Sequence, residues 1–252
     1  MLALDQGNGT AAVSQGRRML SVKKLEHRFY DGYTSPFDRF NEEARRLANK
    51  GAMVLHAGCG LDSSIGFRTA TRVTIGIDLD EWILHNSDLD LAVIADLSHL
   101  PLRDECIDFV ASRGVLEHLQ RPDLFVQETG RVLRSGGCLL VLTPNLYHYF
   151  ALAVRIAPYG AQRWFIQKVL GGDPNEVFPT FYRANTSRRI RSLATRAGLA
   201  EEWLQMLEAT PAILSFSPLT YLAGIIYERM VNRFGLLAGL RAAILAVFRK
   251  LG

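Results

Sequence analysis

The chain has 252 residues, of which 48% are hydrophobic and 21% charged, with a formal net charge of +4 at pH 7. This composition excludes a disordered or collagen-like chain and fits one sizeable domain with an appendage. The three cysteines are widely spaced without a Cys-x-x-Cys pair, so we expect neither a disulfide framework nor a metal site. No basic-then-apolar signal peptide opens the sequence, and we expect a cytoplasmic location.

The charge is unevenly distributed along the chain. Residues 1–144 contain 16 Lys and Arg against 19 Asp and Glu, whereas residues 145–252 contain 13 against 6. A basic excess confined to one part suggests an acidic partner, either nucleic acid or an anionic membrane surface. A solvated, arginine-rich face is the alternative explanation.

The first elements lead into a buried strand and a glycine turn. Residues 1–33 are predicted to be a polar tail and lead-in, and Ser35-Pro36 predicts the start of a helix. The apolar run Met53-Val54-Leu55 predicts a buried strand, and Gly58-Cys59-Gly60 predicts a tight turn whose bare backbone a ligand can approach.

Further strands end on polar residues. The second and third strands are predicted to end at Asp78 and Asp96, and the fourth ends at Ser112, before Glu117 and His118. Strands that alternate with helices at this spacing predict a parallel sheet covered on both faces. Because ligands bind at the carboxyl ends of such strands, these residues form one candidate site.

Four ordered segments carry a family resemblance: VLHAGCG, GIDLD, ADLSHLPLRDECIDFVASRGVLEHL and ETGRVLRSGGCLLVLTPN. Together they resemble the class I S-adenosylmethionine-dependent methyltransferases, most nearly the small-molecule branch of quinone and sugar methyltransferases. The resemblance covers about residues 50–145. It implies a doubly wound, mostly parallel Rossmann-like sheet and S-adenosylmethionine as the cofactor.

The resemblance also implies roles for individual residues. The turn Gly58-Cys59-Gly60 would line the methionine part of the cofactor, Asp78 would bind the ribose, and Leu79 would pack on the adenine. Asp96 would accept a hydrogen bond from the adenine amino group, with Leu97 beside it. The sulfonium and the substrate would lie beside Ser112, Arg113 and Gly114.

Two positions depart from the family pattern. His56 stands where the family usually has an acid that holds the loop and the methionine amino group, and Asp62 stands where a third glycine is usual. A neutral His56 could still bind the cofactor through hydrogen bonds but would lose the attraction for an ammonium group. Asp62 would either cap a helix or supply the missing carboxylate.

The candidate catalytic residues are His118 and Glu117. Histidine has a pKa that suits a general base for a hydroxyl or amine nucleophile, and a structural histidine that ties the loop to the helix is the alternative. Methyl transfer needs little beyond alignment, so the site does not require a base. Arg113, Tyr182 and Arg183 are the candidate substrate contacts.

The remaining sequence predicts a helical lid over about residues 146–184, within a methyltransferase domain spanning residues 34–208, and a sixth strand near 202–206. Residues 209–252 predict an apolar, basic helical extension. Its two Pro residues make a membrane-spanning helix a poor interpretation. We expect it to bind an anionic membrane at the inner face, or to act as a lid or homodimer surface.

The sequence thus predicts methyl transfer to an oxygen or nitrogen atom of a small-molecule acceptor, such as a lipid-linked sugar or another membrane-associated metabolite. A non-catalytic, methyltransferase-like binding module is the alternative that His56 and Asp62 suggest. A dehydrogenase fits less well, because Ser63 replaces the third glycine of its motif. No nucleic-acid partner is expected, because no basic–aromatic groove pattern is present.

Overall fold

The computed structural model describes residues 21–158, 160–161 and 178–252. Within these ranges one sheet has the strand order β3-β2-β1-β4-β5-β7-β6. Its strands are β1 Met53–Ala57, β2 Val73–Asp78, β3 Leu91–Ile94, β4 Ile107–Arg113, β5 Leu133–Pro144, β6 Leu199–Leu207 and β7 Ala243–Lys250. The pairs among β1–β5 are parallel, and β7 is antiparallel to both of its neighbours. The predicted doubly wound, mostly parallel sheet is confirmed.

Helices cover the sheet and its edges. They are α1 (21–30), α2 Pro36–Leu47, α3 Phe67–Ala70, α4 Pro122–Val132, α5 Tyr149–Ile156, α6 Ser187–Arg196 and α7 Pro218–Arg233. Short 3-10 segments span Glu81–His85, Leu116–His118, Ala212–Leu214 and Gly235–Leu240. The helix start predicted at Ser35-Pro36 is confirmed, with Pro36 at the first position of α2. In addition, Ser35 and Asp38 form a capping box.

The two faces of the sheet bury separate cores. Along β1, Leu55 and Ala57 belong to one core cluster, whereas Val54 belongs to the other, with Phe40 of α2. A strand buried on both faces needs apolar residues throughout, which explains why the central strands lack polar alternation.

The predicted C-terminal extension is helical only as far as Leu240. Residues Ala243–Lys250 form β7, which inserts between β5 and β6. An apolar run of this length fits a buried strand as well as a buried helix, so its composition could not decide between them. The sixth strand is confirmed as β6. Of the predicted lid, residues 149–156 form α5, and residues 159 and 162–177 lie outside the described residues.

The connectivity brings many loops to one edge of the sheet. The carboxyl ends of β1–β6 and the amino end of β7 share this edge, which we call the carboxyl edge. The predicted site residues lie at or beside it. In the part of the chain that the structure describes, no helix is long and apolar enough to cross a membrane.

Candidate active site

The glycine turn after β1 has the conformation that its sequence predicts. Gly58 and Gly60 have φ values of +68° and +46°, in the left-handed region that favours glycine. A Cβ atom on Gly58 would overlap Cγ2 of Val115. The missing side chain at Gly58 therefore makes room for Val115, while Gly58 and Gly60 stay partly exposed at the carboxyl edge. Cys59 between them is buried, and burial raises the pKa of its thiol to about 12, consistent with a packing role.

Asp78 ties the end of β2 to this turn. Its Oδ2 accepts a hydrogen bond from the Gly60 N–H at 2.8 Å, and its Oδ1 accepts one from the Asp80 N–H at 3.1 Å. A carboxylate has about four acceptor positions, so lone pairs remain for the hydroxyls of a ribose. Leu79 follows with 70% of its surface exposed, which leaves an apolar side chain available to pack on a flat ring.

Asp96 and Leu97 follow β3 at the same edge. The exposed Asp96 accepts a hydrogen bond from the Ser98 N–H at 2.8 Å through Oδ1 and leaves Oδ2 available for a donor such as an amino group. Leu97 differs from the prediction, because its side chain is buried in a core cluster and does not lie open beside Asp96. Its contribution is to hold this loop on the sheet.

Two residues that the sequence analysis missed support the glycine turn. Asn86 Nδ2 donates to the backbone oxygens of Gly60 at 2.9 Å and Asp62 at 3.0 Å. Asp88 accepts the N–H groups that begin α3. The helix that follows the turn is the single turn of α3, and its cap is Asp88 from another loop rather than Asp62.

His56 does not reach the surface of the turn. Its side chain is buried, with its ring 5.6 Å from that of Phe67 and Nε2 3.9 Å from Asp62 Oδ2. Burial lowers the pKa of His56 to about 4, so the imidazole is neutral at pH 7. The proposed cofactor contact of His56 is therefore replaced by a packing role under the turn.

Arg113 is engaged within the protein, which corrects its assignment as a substrate contact. Its guanidinium pairs with Asp62 and donates to Asn41 Oδ1 at 2.7 Å, with the rings of Phe37 and Phe40 beside it. Burial would raise the pKa of Asp62, but hydrogen bonds from Ser64 and the charge of Arg113 lower it. Through these two contacts Arg113 joins β4 to the glycine turn and to α2.

The ends of β4 and β5 enclose a polar cluster. Glu117 Oε2 accepts from Thr143 Oγ1 at 3.0 Å, and Thr143 Oγ1 accepts from Asn185 Nδ2 at 2.6 Å. Burial raises the pKa of Glu117, which favours its neutral form. Ser112 Oγ is buried without a hydrogen-bond partner in the described residues, so the site holds an unused polar atom. Gly114, with a φ of +69°, turns the chain away from β4 here.

His118 and residues 178–183 form the outer wall of this cluster. Because a carbonyl only accepts, the 2.9 Å contact between His118 Nδ1 and Pro179 O places the proton on Nδ1 and leaves Nε2 as a base. The carbonyl of Glu117 accepts the N–H groups of Phe181 and Tyr182, and Tyr182 is buried with a φ of +49°. Arg183 is exposed and donates to Gln120 O, a contact that holds the wall.

A second cluster at the carboxyl edge was not predicted. The buried Glu208 lies directly after β6, with Oε1 3.5 Å from His148 Nε2. The His148 ring is 4.1 Å from that of Tyr149 and 5.8 Å from that of Tyr227. These residues lie on α5, α7 and the end of β6 or immediately beside them, so no local pattern in the sequence could have brought them together.

Comparison with known proteins identifies the motif-bearing part of the chain. Residues 55–141 match the family described as the methyltransferase domain. These residues are therefore similar to a methyltransferase domain. The match agrees with the cofactor that the sequence resemblance implied, since a relative that shares this segment is described as dependent on S-adenosylmethionine.

A relative found by sequence matches less than half of this chain. A probable S-adenosylmethionine-dependent methyltransferase of Mycolicibacterium smegmatis is 38% identical over 117 residues, 43% of this chain and 45% of that protein. The chain thus spans less than half the length of this relative.

Among solved structures, the complex of the Haloferax volcanii Trm112 methyltransferase activator with a methyltransferase contains a similar chain. That chain is 17% identical with a TM-score of 0.55, and the match covers 96% of this chain and 97% of that one. Geranyl diphosphate C-methyltransferase of Streptomyces coelicolor, with S-adenosyl-L-homocysteine bound, has a TM-score of 0.52 at 15% identity, over 84% and 79% of the two chains. At these identities the structures establish the fold.

The residues at the carboxyl edge fit S-adenosylmethionine. The partly exposed glycine turn, the spare acceptor positions of Asp78 and the exposed Leu79 suit the amino acid, ribose and adenine parts respectively. The unpartnered Ser112 Oγ lies at the end of β4, where the resemblance places the reacting sulfur. His56 stands where an acid would attract the ammonium group of the cofactor, so the structure offers no carboxylate for this group at position 56.

Proposed function

We propose that this chain transfers a methyl group from S-adenosylmethionine to an oxygen or nitrogen atom of a small molecule. The observation that carries the proposal is the contact between the glycine turn and the end of β2, where Asp78 accepts the Gly60 N–H at 2.8 Å and keeps acceptor positions for a ribose. The bound cofactor supplies an electrophilic methyl group on a positively charged sulfur.

In this proposal the chain's own residues hold the reactants and manage one proton. Burial raises the pKa of Glu117 and so favours its neutral form, which would donate a hydrogen bond to the acceptor molecule. His118, with its proton on Nδ1, would receive the acceptor's proton at Nε2. The 178–183 wall would exclude water, since its backbone N–H groups donate to Glu117 O and the Arg183 side chain donates to Gln120 O.

The acceptor that we favour has an apolar part and lies at the inner face of a membrane, in the cytoplasm. Exposed apolar side chains flank the carboxyl edge of β5 and the wall: Tyr147, Leu152, Ile156 and Phe178. Such side chains suit a lipid-linked sugar or another membrane-associated metabolite better than a fully polar acceptor.

A non-catalytic binding module is the second candidate. It is favoured by the neutral His56 and by the pairing of Asp62 with Arg113, which together leave this part of the turn without a free carboxylate. Methyl transfer distinguishes the two candidates, because a binding module would hold the cofactor or a partner without consuming it.

The test is transfer of a labelled methyl group from S-adenosylmethionine to an extract of lipids and polar metabolites, with product analysis by mass spectrometry. The proposal predicts an O-methyl or N-methyl product and, for His118→Gln, a loss of roughly 10²–10⁴-fold in rate if His118 is the base. The matched control is His85→Gln, in the 3-10 segment after β2. Cofactor binding without any methylated product would favour the binding module.

A further inference from the structure

The cluster around Glu208 contains buried polar atoms without hydrogen-bond partners. The side chains of Glu208 and His148 are only 4% and 9% exposed. Glu208 Oε1 accepts the N–H of Ala209 at 3.0 Å. Among the described residues, Glu208 Oε2 and His148 Nε2 have no partner, and the 3.5 Å contact between Nε2 and Oε1 is not a hydrogen bond. Since buried polar atoms are nearly all paired in folded proteins, these two atoms are available to a ligand.

The negative charge of Glu208 has no strong basic partner. His148 is the only basic side chain within 4 Å of this carboxylate in the part of the chain that the structure describes. The Arg241 guanidinium donates to Met206 O and Val231 O, both at 3.2 Å, and it forms no ion pair with Glu208 in the same residues. A buried charge is costly unless it is paired, so this position favours a positively charged ligand.

Tyrosine rings lie close to the Glu208 carboxylate. Burial and then the charge of Glu208 raise the pKa of Tyr149 and that of Tyr227 to about 12. The Tyr33 hydroxyl donates to Glu208 O at 2.8 Å. The Tyr149 and Tyr227 rings are nearly perpendicular, with centroids 5.0 Å apart, and both residues are partly exposed. Aromatic faces beside a carboxylate attract a cation electrostatically.

We propose that Glu208, His148, Tyr149 and Tyr227 form a subsite for a cationic amine, which we call the amine subsite. The ammonium group would donate to Glu208 Oε2 and balance its charge, and neutral His148 would accept a second hydrogen bond at Nε2. The two tyrosine rings would contact the carbon atoms next to the nitrogen. A neutral hydroxyl fits less well, because it would leave the charge of the buried carboxylate unbalanced.

The Tyr149 ring is the part of the amine subsite that would move when the amine enters. Glu208 Oε2 and His148 Nε2 are covered in this structure, so a ligand reaches them only past a ring. The Tyr227 hydroxyl is held by Leu240 O, to which it donates at 2.7 Å. The Tyr149 hydroxyl has no such acceptor among the described residues. A rotation of the Tyr149 side chain would therefore open the subsite.

The amine subsite adjoins the polar cluster around Glu117. Both are bonded to the segment that follows β5, where the His148 N–H donates to Asn145 O at 3.1 Å and the Leu146 N–H donates to Asn185 O at 2.8 Å. Asn185 belongs to the Glu117 cluster. A methyl acceptor held by its amine would therefore lie along this segment. That role rests on the proposed function, whereas amine binding itself needs no methyl transfer.

Ligand-observed NMR on the full chain tests the subsite with two probes of the same shape, 3-methylbutylammonium and 3-methylbutan-1-ol. The ammonium probe should bind at least about tenfold more tightly than the alcohol, because only the ammonium balances the carboxylate and interacts with the ring faces as a cation. Equal binding of the two probes, or no binding of the ammonium probe at millimolar concentration, overturns the proposal.

Two variants and one control test the residues of the subsite. Glu208→Gln keeps an oxygen for the Ala209 N–H but removes the charge, so binding of the ammonium probe should fall at least about tenfold. Tyr149→Leu should weaken it roughly fivefold through the lost ring. The control is Glu202→Gln, an exposed acid on β6 that pairs with Arg249, and it should leave probe binding unchanged.

The melting temperature of Glu208→Gln distinguishes a ligand site from an internal ion pair. If no group of the chain balances the buried carboxylate, its removal should raise the melting temperature at pH 8. A fall would mean that His148 or Arg241 already balances the charge, since breaking a buried pair is strongly destabilising, and would overturn the subsite.

Calorimetry with S-adenosylmethionine separates this proposal from the proposed function. Unchanged cofactor affinity in Glu208→Gln together with lost probe binding supports the subsite, whereas an equal loss of both contradicts it. A wild-type chain that binds the ammonium probe but methylates nothing would retain the subsite and refute methyl transfer. Methylation of an acceptor without any binding of the ammonium probe would do the reverse.

Discussion

The carboxyl edge of β1–β4 and the C-terminal part of the chain are built from contacts of different range. At the glycine turn, the hydrogen bond from Gly60 to Asp78 spans 18 residues. In the C-terminal part, Tyr33 donates to Glu208 O across 175 residues. The carboxyl edge of β1–β4, which we call the cofactor region, can therefore be predicted from consecutive motifs. The C-terminal part depends on pairings that appear only in the folded chain.

The largest effect should come from substituting the glycine turn itself. Gly58→Ala adds a Cβ at a φ of +68° and against Val115, so it combines backbone strain with a clash. We expect a loss of about 3 kcal/mol or more in the free energy of unfolding, from left-handed strain plus overpacking. Affinity for S-adenosylmethionine in calorimetry should fall at least 100-fold.

Gly32→Ala is the matched control for this substitution. Gly32 has a φ of +72° but nothing lies within 4 Å of the added Cβ, so it experiences strain alone. Its cost should be about 1–2 kcal/mol, with cofactor affinity unchanged. Equal effects of the two substitutions on affinity would contradict the assigned role of the turn.

The next largest expected effect is a pH dependence of the free energy of unfolding, caused by His56 beneath the glycine turn. Burial lowers the pKa of His56 to about 4 from its ordinary value of 6.5, so the unfolded chain binds a proton there before the folded chain does. Stability should fall as the pH drops from 6.5 to about 4, by roughly 3 kcal/mol in total. Chemical denaturation across this range measures the slope, and His56→Asn should flatten it. An equal slope in the variant would show that another group is responsible.

A smaller effect is expected for a substitution in the C-terminal part, which should lower the free energy of unfolding without changing cofactor binding. Gly224→Ala places a Cβ against Pro211, so we expect overpacking to cost roughly 1–3 kcal/mol of unfolding free energy. Gly239→Ala, with nothing within 4 Å, is the control. Affinity for S-adenosylmethionine should be unchanged in both variants. A tenfold loss of affinity in Gly224→Ala would mean that the two regions are coupled.

The smallest expected effect concerns Glu117. Its pKa is raised by burial, so the ionised side chain destabilises the folded state and this cost grows as the pH rises above 4.5. Glu117→Gln, which is neutral at every pH, should therefore raise the melting temperature at pH 8 and leave it nearly unchanged at pH 4. A rise of the same size at both pH values would contradict the assignment of a buried, ionisable carboxyl group.

The sequence predicted the features that depend on neighbours along the chain. The strand before Gly58, the acids at the ends of β2 and β3, and the capping box at Ser35 each follow from a local pattern. β7 was interpreted as helix because residues 243–248 are an uninterrupted apolar run, and only its place between β5 and β6 makes it a strand.

The site was harder to predict where a side chain's role depends on a distant partner. Arg113 is the last residue of β4, among the motif residues, yet Asn41 and Asp62 hold its guanidinium within the protein. His56 resembles a substituted ligand in the sequence, but packing against Phe67 buries it. Asn86 supports two carbonyls of the turn from a loop that follows β2, and no spacing rule marks it.

The central claim is that Asp78 and the glycine turn bind S-adenosylmethionine, and isothermal titration calorimetry tests it most directly. The wild-type chain should bind the cofactor, and Asp78→Asn should weaken binding by roughly 10–150-fold, the loss of charged hydrogen bonds worth about 1.5–3 kcal/mol. Asp104→Asn, an exposed acid in the loop that precedes β4, should bind like the wild type. The absence of binding by the wild-type chain, or equal affinities in all three proteins, would contradict the account.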